Sequence, residues 1–146
     1  MSLYPNCSLV TPTYNWPEAL NLLLKSVLSQ SHLPDEVIIA DDGSTAETKE
    51  LIKDFQKKFP IPLIHVWHQD KGNRKPCIMN KAIAKARYEY IIEIDGDIIM
   101  HCDFVKDHLK FAKPGQYLYG SRVNIQKEHL DELFSQEQIS FNYFSK

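Results

Sequence analysis

The chain alternates short apolar runs with longer amphipathic stretches, and no other feature of the sequence restricts the fold as strongly. The apolar runs occupy residues 7–11, 36–40, 63–67 and 90–94. The run at 36–40 lacks polar alternation, which is typical of a strand that is covered on both faces. Between the runs, apolar residues recur at the three- and four-residue spacing of helices. The sequence therefore predicts strands and helices in alternation.

The ends of these predicted elements are marked by residues that start or stop helices. The first helix begins near Pro17, which suits a first helical turn, and the second ends before Pro60. A third helix is expected around residues 78–86 and a short fourth one around 104–112. Residues 117–123 are rich in β-prone side chains and favour a fifth strand.

Alternating strands and helices of this length form parallel sheets with right-handed crossovers. We therefore expect an α/β fold, a three-layer, Rossmann-like and mostly parallel sheet with helices on both faces. A chain of 146 residues has room for one core and not for two. Sheets of this kind bind ligands at the carboxyl ends of their strands, so candidate functional residues are sought there.

Charge and cysteine usage exclude several classes of protein. The net charge of −2 creates no global field that would attract nucleic acid, and no such partner is expected. Three cysteines without paired spacing argue against a disulfide framework and favour reduced thiols in the cytoplasm. No signal-peptide pattern or membrane-spanning run is found. We expect a cytoplasmic protein without a transmembrane segment, and peripheral association with the inner face of the membrane stays open.

Carboxylates dominate the predicted strand ends. Residues 41–44 read Asp-Asp-Gly-Ser after the second strand, and residues 95–97 read Asp-Gly-Asp after the fourth. Acids that converge on one edge repel each other unless a cation neutralises them, and hard oxygen ligands suit Mg²⁺ or Mn²⁺. Since side chains alternate along an extended segment, Asp95 and Asp97 point to the same side and could share one ion. Each motif alone also fits a solvated loop or an N-capped turn.

The acids at residues 95–97 also favour a particular kind of ligand. A metal ion held by one or two carboxylates usually keeps positions open for substrate phosphates. It could bring a diphosphate into an acidic cleft and stabilise the charge of a departing phosphate. Gly96 has no Cβ and would let a bulky ligand lie close to the backbone. The pattern predicts a ligand that carries phosphate.

Several stretches of the sequence are together similar to one known family, in the right order. They are residues 9–15, the helix end at 28–31, residues 37–44 and residues 94–97. The combination resembles the nucleotide-binding part of a family 2 inverting glycosyltransferase of the GT-A fold. Residues 69–74 and 119–123 further resemble the branch that contains chondroitin-polymerase-like enzymes.

This resemblance implies a nucleoside-diphosphate sugar as donor, with a UDP-sugar favoured, and metal-dependent transfer with inversion to a glycan or lipid-linked acceptor. It implies that Thr11, Pro12 and Tyr14 flank the nucleobase and the ribose. Asp42 would accept a hydrogen bond from the base. These assignments follow from the family match and not from the spacing of the residues.

On the diphosphate side, the resemblance implies that Asp97 ligates the Mn²⁺ or Mg²⁺ that bridges the two phosphates. Asp95 would contact the ribose or the donor sugar and share in the metal site. Arg74 matches a family arginine near the donor sugar and diphosphate. Met79 departs from the pattern, because relatives often carry arginine immediately before the asparagine matched by Asn80. Its place on an apolar helix stripe favours a role in core packing.

The histidines are weaker candidates for function. His65, His68 and His101 lack the paired spacing of metal-binding histidines, so exposed or ordinary structural roles are favoured.

The sequence does not reveal a catalytic base. Residues 1–123 are expected to form the nucleotide-sugar-binding domain, and residues 124–146 the start of an acceptor region that is cut short. The acids in this last part occupy a stretch that favours a polar amphipathic helix and not a catalytic loop; they are Glu128, Asp131, Glu132 and Glu137. The base is expected outside the chain.

Two other functions remain open at this point. One is a nucleotide-sugar-binding module without catalysis. The other is a Mg²⁺-binding phospho-receiver domain, which also combines a doubly wound sheet with acids at strand ends. Receivers carry their acids after strands one and three, whereas this chain carries them after strands two and four. The order of the acids therefore disfavours a receiver.

Overall fold

The computed structural model describes residues 4–141 and shows the predicted alternation of strands and helices. The described chain contains the following elements: β1 (Cys7–Thr13), α1 (Pro17–Leu28), β2 (Glu36–Asp41), α2 (Ala46–Gln56), β3 (Leu63–Trp67), α3 (Lys75–Ile83), β4 (Tyr90–Glu93), α4 (Phe104–Phe111), a 3₁₀ turn (Lys127–His129) and α5 (Leu130–Gln136). Among the helices of residues 4–141, none combines the length and the hydropathy that a membrane span requires.

The four strands form one sheet in the order β3-β2-β1-β4, and every pair is parallel. The chain moves outward from β1 to β3 and then crosses back to place β4 on the other side of β1. Because crossovers are right-handed, this reversal puts α3 on the face opposite to α1 and α2. The strand order thus changes direction beside β1, where sheets of this kind bind ligands.

Each face of the sheet has its own hydrophobic core, which confirms the predicted three layers. Leu9 of β1 faces the larger core with α1, α2 and α4, and Val10 faces the smaller core with α3. Burial on both faces explains why β1 and β2 are buried along their whole length. Met79 packs in the smaller core with 6% of its surface exposed, so its predicted packing role is confirmed.

The predicted fifth strand is wrong. Residues 117–123 form no helix or strand, and Tyr117, Tyr119 and Val123 are between 86% and 95% exposed. A strand requires a hydrogen-bonded neighbour and side-chain packing on at least one face. These residues have β-prone side chains, but they do not join the ladder at either edge of the four-stranded sheet. Their local propensity is therefore not realised.

A buried acid joins the amino ends of β1 and β2 to the start of β4. Glu36 accepts hydrogen bonds from the Ser8 hydroxyl at 2.7 Å, the Arg87 backbone N–H at 2.8 Å and the Arg87 Nε at 2.7 Å. Burial alone would raise the pKa of Glu36, but the hydrogen bonds from Arg87 and Ser8 outweigh it and hold the pKa below its usual value.

Replacing this acid should destabilise the fold. In Glu36→Leu, the buried hydroxyl of Ser8 loses its acceptor, and hydrogen bonds to a charged group are lost, so the free energy of unfolding should fall by about 2–3 kcal/mol. Urea denaturation followed by circular dichroism measures the change. Asp54→Asn is the control, because it breaks the exposed ion pair with Lys57 and should leave the midpoint unchanged. Equal midpoints for both variants would contradict the prediction.

Candidate functional site

The carboxyl ends of the strands surround a cleft of about 560 Å³. It lies at the carboxyl edge of the sheet, as the sequence predicted, and beside β1, where the strand order reverses. The residues that line it come from four separate parts of the chain: Pro12, Thr13, Tyr14, Asp42, Gly72, Asn73, Lys75, Asp95, Gly96 and Asp97.

A proline in the central strand explains why the sheet opens there. The strand was expected to end before Pro12, but β1 continues through Pro12 to Thr13, where it still pairs with β2. The carbonyl of Val10 accepts a hydrogen bond from the N–H of Ile94 on the β4 side. Backbone groups of alternate residues point to the same neighbour, so the N–H that Pro12 lacks would also face that side. β4 has ended by this level, and the cleft opens between the two strands.

The acidic turn after β2 is held by its first carboxylate. Asp41 Oδ1 accepts hydrogen bonds from the N–H groups of Gly43 and Ser44 at 3.2 and 2.7 Å, and Oδ2 lies 2.8 Å from His65 Nε2. Burial alone would raise the pKa of Asp41, but hydrogen bonds from His65 and Ser44 outweigh it and hold the pKa below its usual value. Asp41 does not line the cleft, and it fixes the turn that presents Asp42.

Asp42 is the second acid of this turn and lines the cleft. Its N–H donates to the carbonyl of Thr13 at 3.0 Å, which ties the turn to the end of β1. Its Oδ1 lies 2.6 Å from His68 Nε2, and its Oδ2 accepts the N–H of Arg74 at 2.8 Å. The carboxylate is thus held from two directions.

The loop at residues 68–74 packs directly on the acidic turn. Gly43 has φ +101°, and a Cβ there would lie 2.6 Å from backbone atoms of Asp70, so both conformation and space require glycine. Tyr14 donates its hydroxyl to Asp70 at 3.0 Å, and this bond raises the pKa of the phenol. These contacts fix the wall of the cleft that Tyr14 provides.

Gly96 lines the cleft and also has a role that the sequence did not predict. A Cβ at this position would lie 2.1 Å from the carbonyl oxygen of Pro12. The missing side chain therefore makes room for the neighbouring strand, and this close approach of two backbones places Asp95 and Asp97 in the cleft.

The two acids that flank Gly96 have different surroundings. Asp95 pairs with two cations, Lys75 Nζ at 2.6 Å and Arg122 Nη1 at 3.6 Å. Asp97 is exposed and makes no hydrogen bond or ion pair within residues 4–141. An unpartnered carboxylate at the mouth of a cleft is a suitable ligand for a hard cation.

Most of the residues predicted for the site line the cleft, and two do not. Thr11 is fully buried, and its hydroxyl oxygen has no hydrogen-bond partner in the described chain. Arg74 lies at the start of α3, where its guanidinium is 3.6 Å from the Cys77 sulfur. Their expected contacts with a nucleotide stay predictions.

Sequence reasoning missed several partners of the predicted residues. From the sequence alone, Lys75 could face either a phosphate or solvent, and His68 was given only a general structural role. Arg122 belongs to a stretch that resembles one family branch, and this resemblance was the one signal that it lies near the site. All three act on acids that are 20 or more residues away in the sequence.

A second group of possible metal ligands lies outside the cleft. One ligand atom each from His101, Cys102 and Asp103 fall within 4.8 Å of one another. Asp103 already accepts the hydroxyl of Ser31 at 2.5 Å and pairs with Lys106 at 3.4 Å. These partners account for the carboxylate without a metal ion.

The comparison with family models identifies the class of protein. The model described as glycosyl transferase family 2 matches residues 8–145. The chain therefore belongs to glycosyltransferase family 2, and the resemblance noted in the sequence is confirmed. The phospho-receiver alternative is wrong, because the same stretch of chain that contains the acids is matched by the glycosyltransferase model.

Curated relatives include polysaccharide synthases. A poly-beta-1,6-N-acetyl-D-glucosamine synthase of Staphylococcus epidermidis is 28% identical over 91% of this chain and 32% of its own length. The putative teichuronic acid biosynthesis glycosyltransferase TuaG of Bacillus subtilis is 32% identical over 73% of this chain and 42% of its own. The chondroitin synthase of Escherichia coli is 30% identical over 70% and 15%. The chain thus spans less than half the length of these relatives.

Solved structures share the fold. TarS 1-349 of S. aureus, in complex with UDP, superposes with a TM-score of 0.61 and 26% identity over 73% of this chain and 31% of its own. The mannosyltransferase PcManGT of Pyrobaculum calidifontis, in complex with GDP-Man and Mn²⁺, has a TM-score of 0.66 and 23% identity over 77% and 34%. The expected α/β GT-A architecture is confirmed.

A side chain at Gly96 should disrupt the cleft. In Gly96→Ala the methyl group meets the Pro12 carbonyl, so the two strand ends must separate, and stability should fall by about 3 kcal/mol. Thermal unfolding measures the loss. The matched control is Gly120→Ala, since a Cβ at Gly120 meets nothing within 4 Å and should leave the midpoint unchanged. A Gly96→Ala variant as stable as the control would contradict the close approach.

The buried carboxylate of Asp41 should make stability depend on pH. Its pKa is lower in the folded than in the unfolded chain, where it is about 3.9. The stability that it contributes is therefore present above about pH 4 and is lost as the pH falls through the folded-state value. Urea denaturation of wild type and Asp41→Asn should show a difference at pH 7 that shrinks below about pH 4. A difference independent of pH would refute this.

Proposed function

We propose that this chain is the donor-binding part of a family 2 glycosyltransferase. Its donor is a nucleoside-diphosphate sugar, and a UDP-sugar is the preferred candidate. The transfer would be metal-dependent and would invert the configuration of the sugar. The observation that carries the proposal is the arrangement of the cleft, which has the held carboxylate of Asp42 and the free carboxylate of Asp97 in its lining. A nucleotide has a base that donates N–H groups at one end and a diphosphate at the other.

The nucleoside would lie on the β1 side of the cleft. Pro12 and Tyr14 line this side, with Tyr14 half-exposed and held by Asp70, and Thr11 is the buried residue before Pro12 in β1. Asp42 keeps lone pairs free besides those used by His68 and Arg74, so it can accept N–H groups of the base. TarS of S. aureus, which is 26% identical and has a solved structure in complex with UDP, supports this choice of ligand.

The residues around Asp97 fit a divalent metal ion. Asp97 is exposed and unpartnered in the described chain, Asp95 lies two residues away, and both offer the hard oxygen that Mn²⁺ or Mg²⁺ prefers. When bound, the ion would neutralise the diphosphate and stabilise the charge on the departing nucleotide. Asp97 would be its principal ligand, because Asp95 is shared with two cations.

Cationic groups of the chain can hold the diphosphate on the same side. Lys75 is the first residue of α3 and lines the cleft, so its ammonium and the positive end of the helix both favour an anion. Arg74, the residue before it, would turn from Cys77 towards the donor sugar. These groups bind and orient the donor, and they also offset its negative charge.

The acceptor side of the reaction is assigned to the remainder of the protein. Residues 1–123 would form the donor-binding domain, and residues 124–146 would begin the region that binds a glycan or lipid-linked acceptor. In the described part of that region, Glu137 pairs with Lys25 and Asn21 of α1, and Phe134 packs edge-on against Trp16. Of the acids at 128–137, none lines the cleft. The catalytic base is therefore sought further along a full-length protein acting in the cytoplasm.

Nucleotide binding should require a divalent ion. Melting curves with UDP and Mn²⁺ or Mg²⁺ test this, because a ligand at about 100 times its dissociation constant adds about 2.7 kcal/mol, or several degrees in a domain of this size. UDP with excess chelator is the control and should give no shift. An equal shift with and without chelator would refute the role of the metal ion.

Two substitutions distinguish the residue proposed to bind the metal ion from the residue proposed to bind the base. Asp97→Asn should remove the metal-dependent part of UDP binding, whereas Asp42→Asn should weaken UDP binding and keep its dependence on Mn²⁺. Calorimetric titration of both variants with UDP, at several Mn²⁺ concentrations, measures the difference. If both variants bind UDP with the affinity and Mn²⁺ dependence of wild type, the assignment of Asp42 to the base and of Asp97 to the metal ion is wrong.

A further inference from the structure

Behind Asp42 lies a line of side chains that the proposed contacts with the donor do not use. Lys81 Nζ lies 3.5 Å from His68 Nδ1, and His68 Nε2 lies 2.6 Å from Asp42 Oδ1. His68 is 8% exposed and Asp42 is 6% exposed. The three residues come from α3, the loop after β3 and the turn after β2. The cleft lies at the Asp42 end of this line.

The chemistry of lysine fixes the direction of the hydrogen bonds. An ammonium group donates and never accepts, so the atom that faces it, His68 Nδ1, must be the acceptor. In a neutral imidazole the other nitrogen then carries the proton. Nε2–H therefore donates to Asp42, and the carboxylate receives a hydrogen bond whose donor cannot reverse its role.

The second oxygen of Asp42 is held independently. The N–H of Arg74 donates to Oδ2 at 2.8 Å, so the carboxylate cannot rotate without breaking one of two hydrogen bonds. A carboxylate held in this way needs no reorganisation when a ligand arrives, which reduces the entropic cost of binding. The neighbouring pair of Asp41 and His65 has the same chemistry, but that acid holds the turn and does not line the cleft.

We infer that His68, oriented by Lys81, is a positioning residue that holds the Asp42 carboxylate ready to recognise the nucleobase. The inference rests on the proposed function, because it assumes that Asp42 meets the base. It assigns base recognition to a relay of three hydrogen-bonded residues, Lys81, His68 and Asp42, and not to Asp42 alone. The diphosphate end of the cleft is outside this relay, so His68 should affect the nucleoside and leave the phosphates unaffected.

The test replaces His68 by glutamine or asparagine, whose side-chain amides differ in length. In His68→Gln the amide nitrogen takes the place of Nε2 and can still donate to Asp42, whereas in His68→Asn it falls at the place of Nδ1 and cannot. The affinity for UDP with Mn²⁺, measured by calorimetry, should fall about tenfold in His68→Asn and less than about threefold in His68→Gln. Lys81→Met should weaken UDP binding, and Lys85→Met, an exposed lysine four residues further on, should not.

Two further measurements separate positioning from a general loss of structure. Inorganic pyrophosphate with Mn²⁺ has no base, so wild type and His68→Asn should bind it equally. In a double-mutant cycle, His68→Asn should cost nothing further once Asp42→Asn is present. A pyrophosphate affinity that falls as much as that of UDP, or additive losses in the cycle, would overturn the inference.

The wild-type protein distinguishes the two levels of the proposal. If it binds no UDP with either Mn²⁺ or Mg²⁺, the proposed function is wrong, and the role of His68 is lost with it. If it binds UDP and His68→Asn binds UDP equally well, the proposed function stands and the positioning role is wrong. If His68→Asn fails to fold, the comparison of Lys81→Met with Lys85→Met decides the result.

Discussion

The site depends on the hydrogen bonds that two adjacent carboxylates accept at the end of a buried parallel strand. Burying a charge is costly unless hydrogen bonds compensate for the lost water. Asp41 is compensated by the turn that it caps and by His65, and Asp42 by His68 and the backbone of Arg74. These bonds join the ends of β2 and β3 to the start of α3. The shape of the cleft therefore follows from the requirement to stabilise the acids.

The cleft also depends on two places where the chain lacks an ordinary group. Pro12 has no N–H to donate on the side from which β4 departs, and Gly96 has no Cβ to keep the returning chain away from the Pro12 carbonyl. Together they allow the backbones at Pro12 and Gly96 to approach closely, while the sheet opens between β1 and β4. The acids on either side of Gly96 reach the cleft because of this close approach.

Charge is arranged locally in a chain whose net charge is only −2. Lys75 and Arg122 form ion pairs with Asp95, whereas Asp97 is exposed and has no partner in the described chain. Arg122 belongs to a stretch that has no regular structure, and its ion pair with Asp95 connects that stretch to the lining of the cleft. One acid of this pair is thus bound by cations of the protein, and the other is not.

Hydrophobic periodicity and strand ends are local properties, so they were enough to predict the layers of the fold and the edge of the sheet at which the cleft lies. The sequence also singled out Asp42 and Asp97, which line this cleft, since acids that directly follow apolar runs are visible in the sequence. The contact of His68 with Asp42, and the cations that pair with Asp95, could be found only in the folded chain. Such partners are far apart in the sequence, and strand order and register bring them together. The predicted fifth strand failed for the same reason, because β propensity forms a strand only where the fold supplies a neighbour.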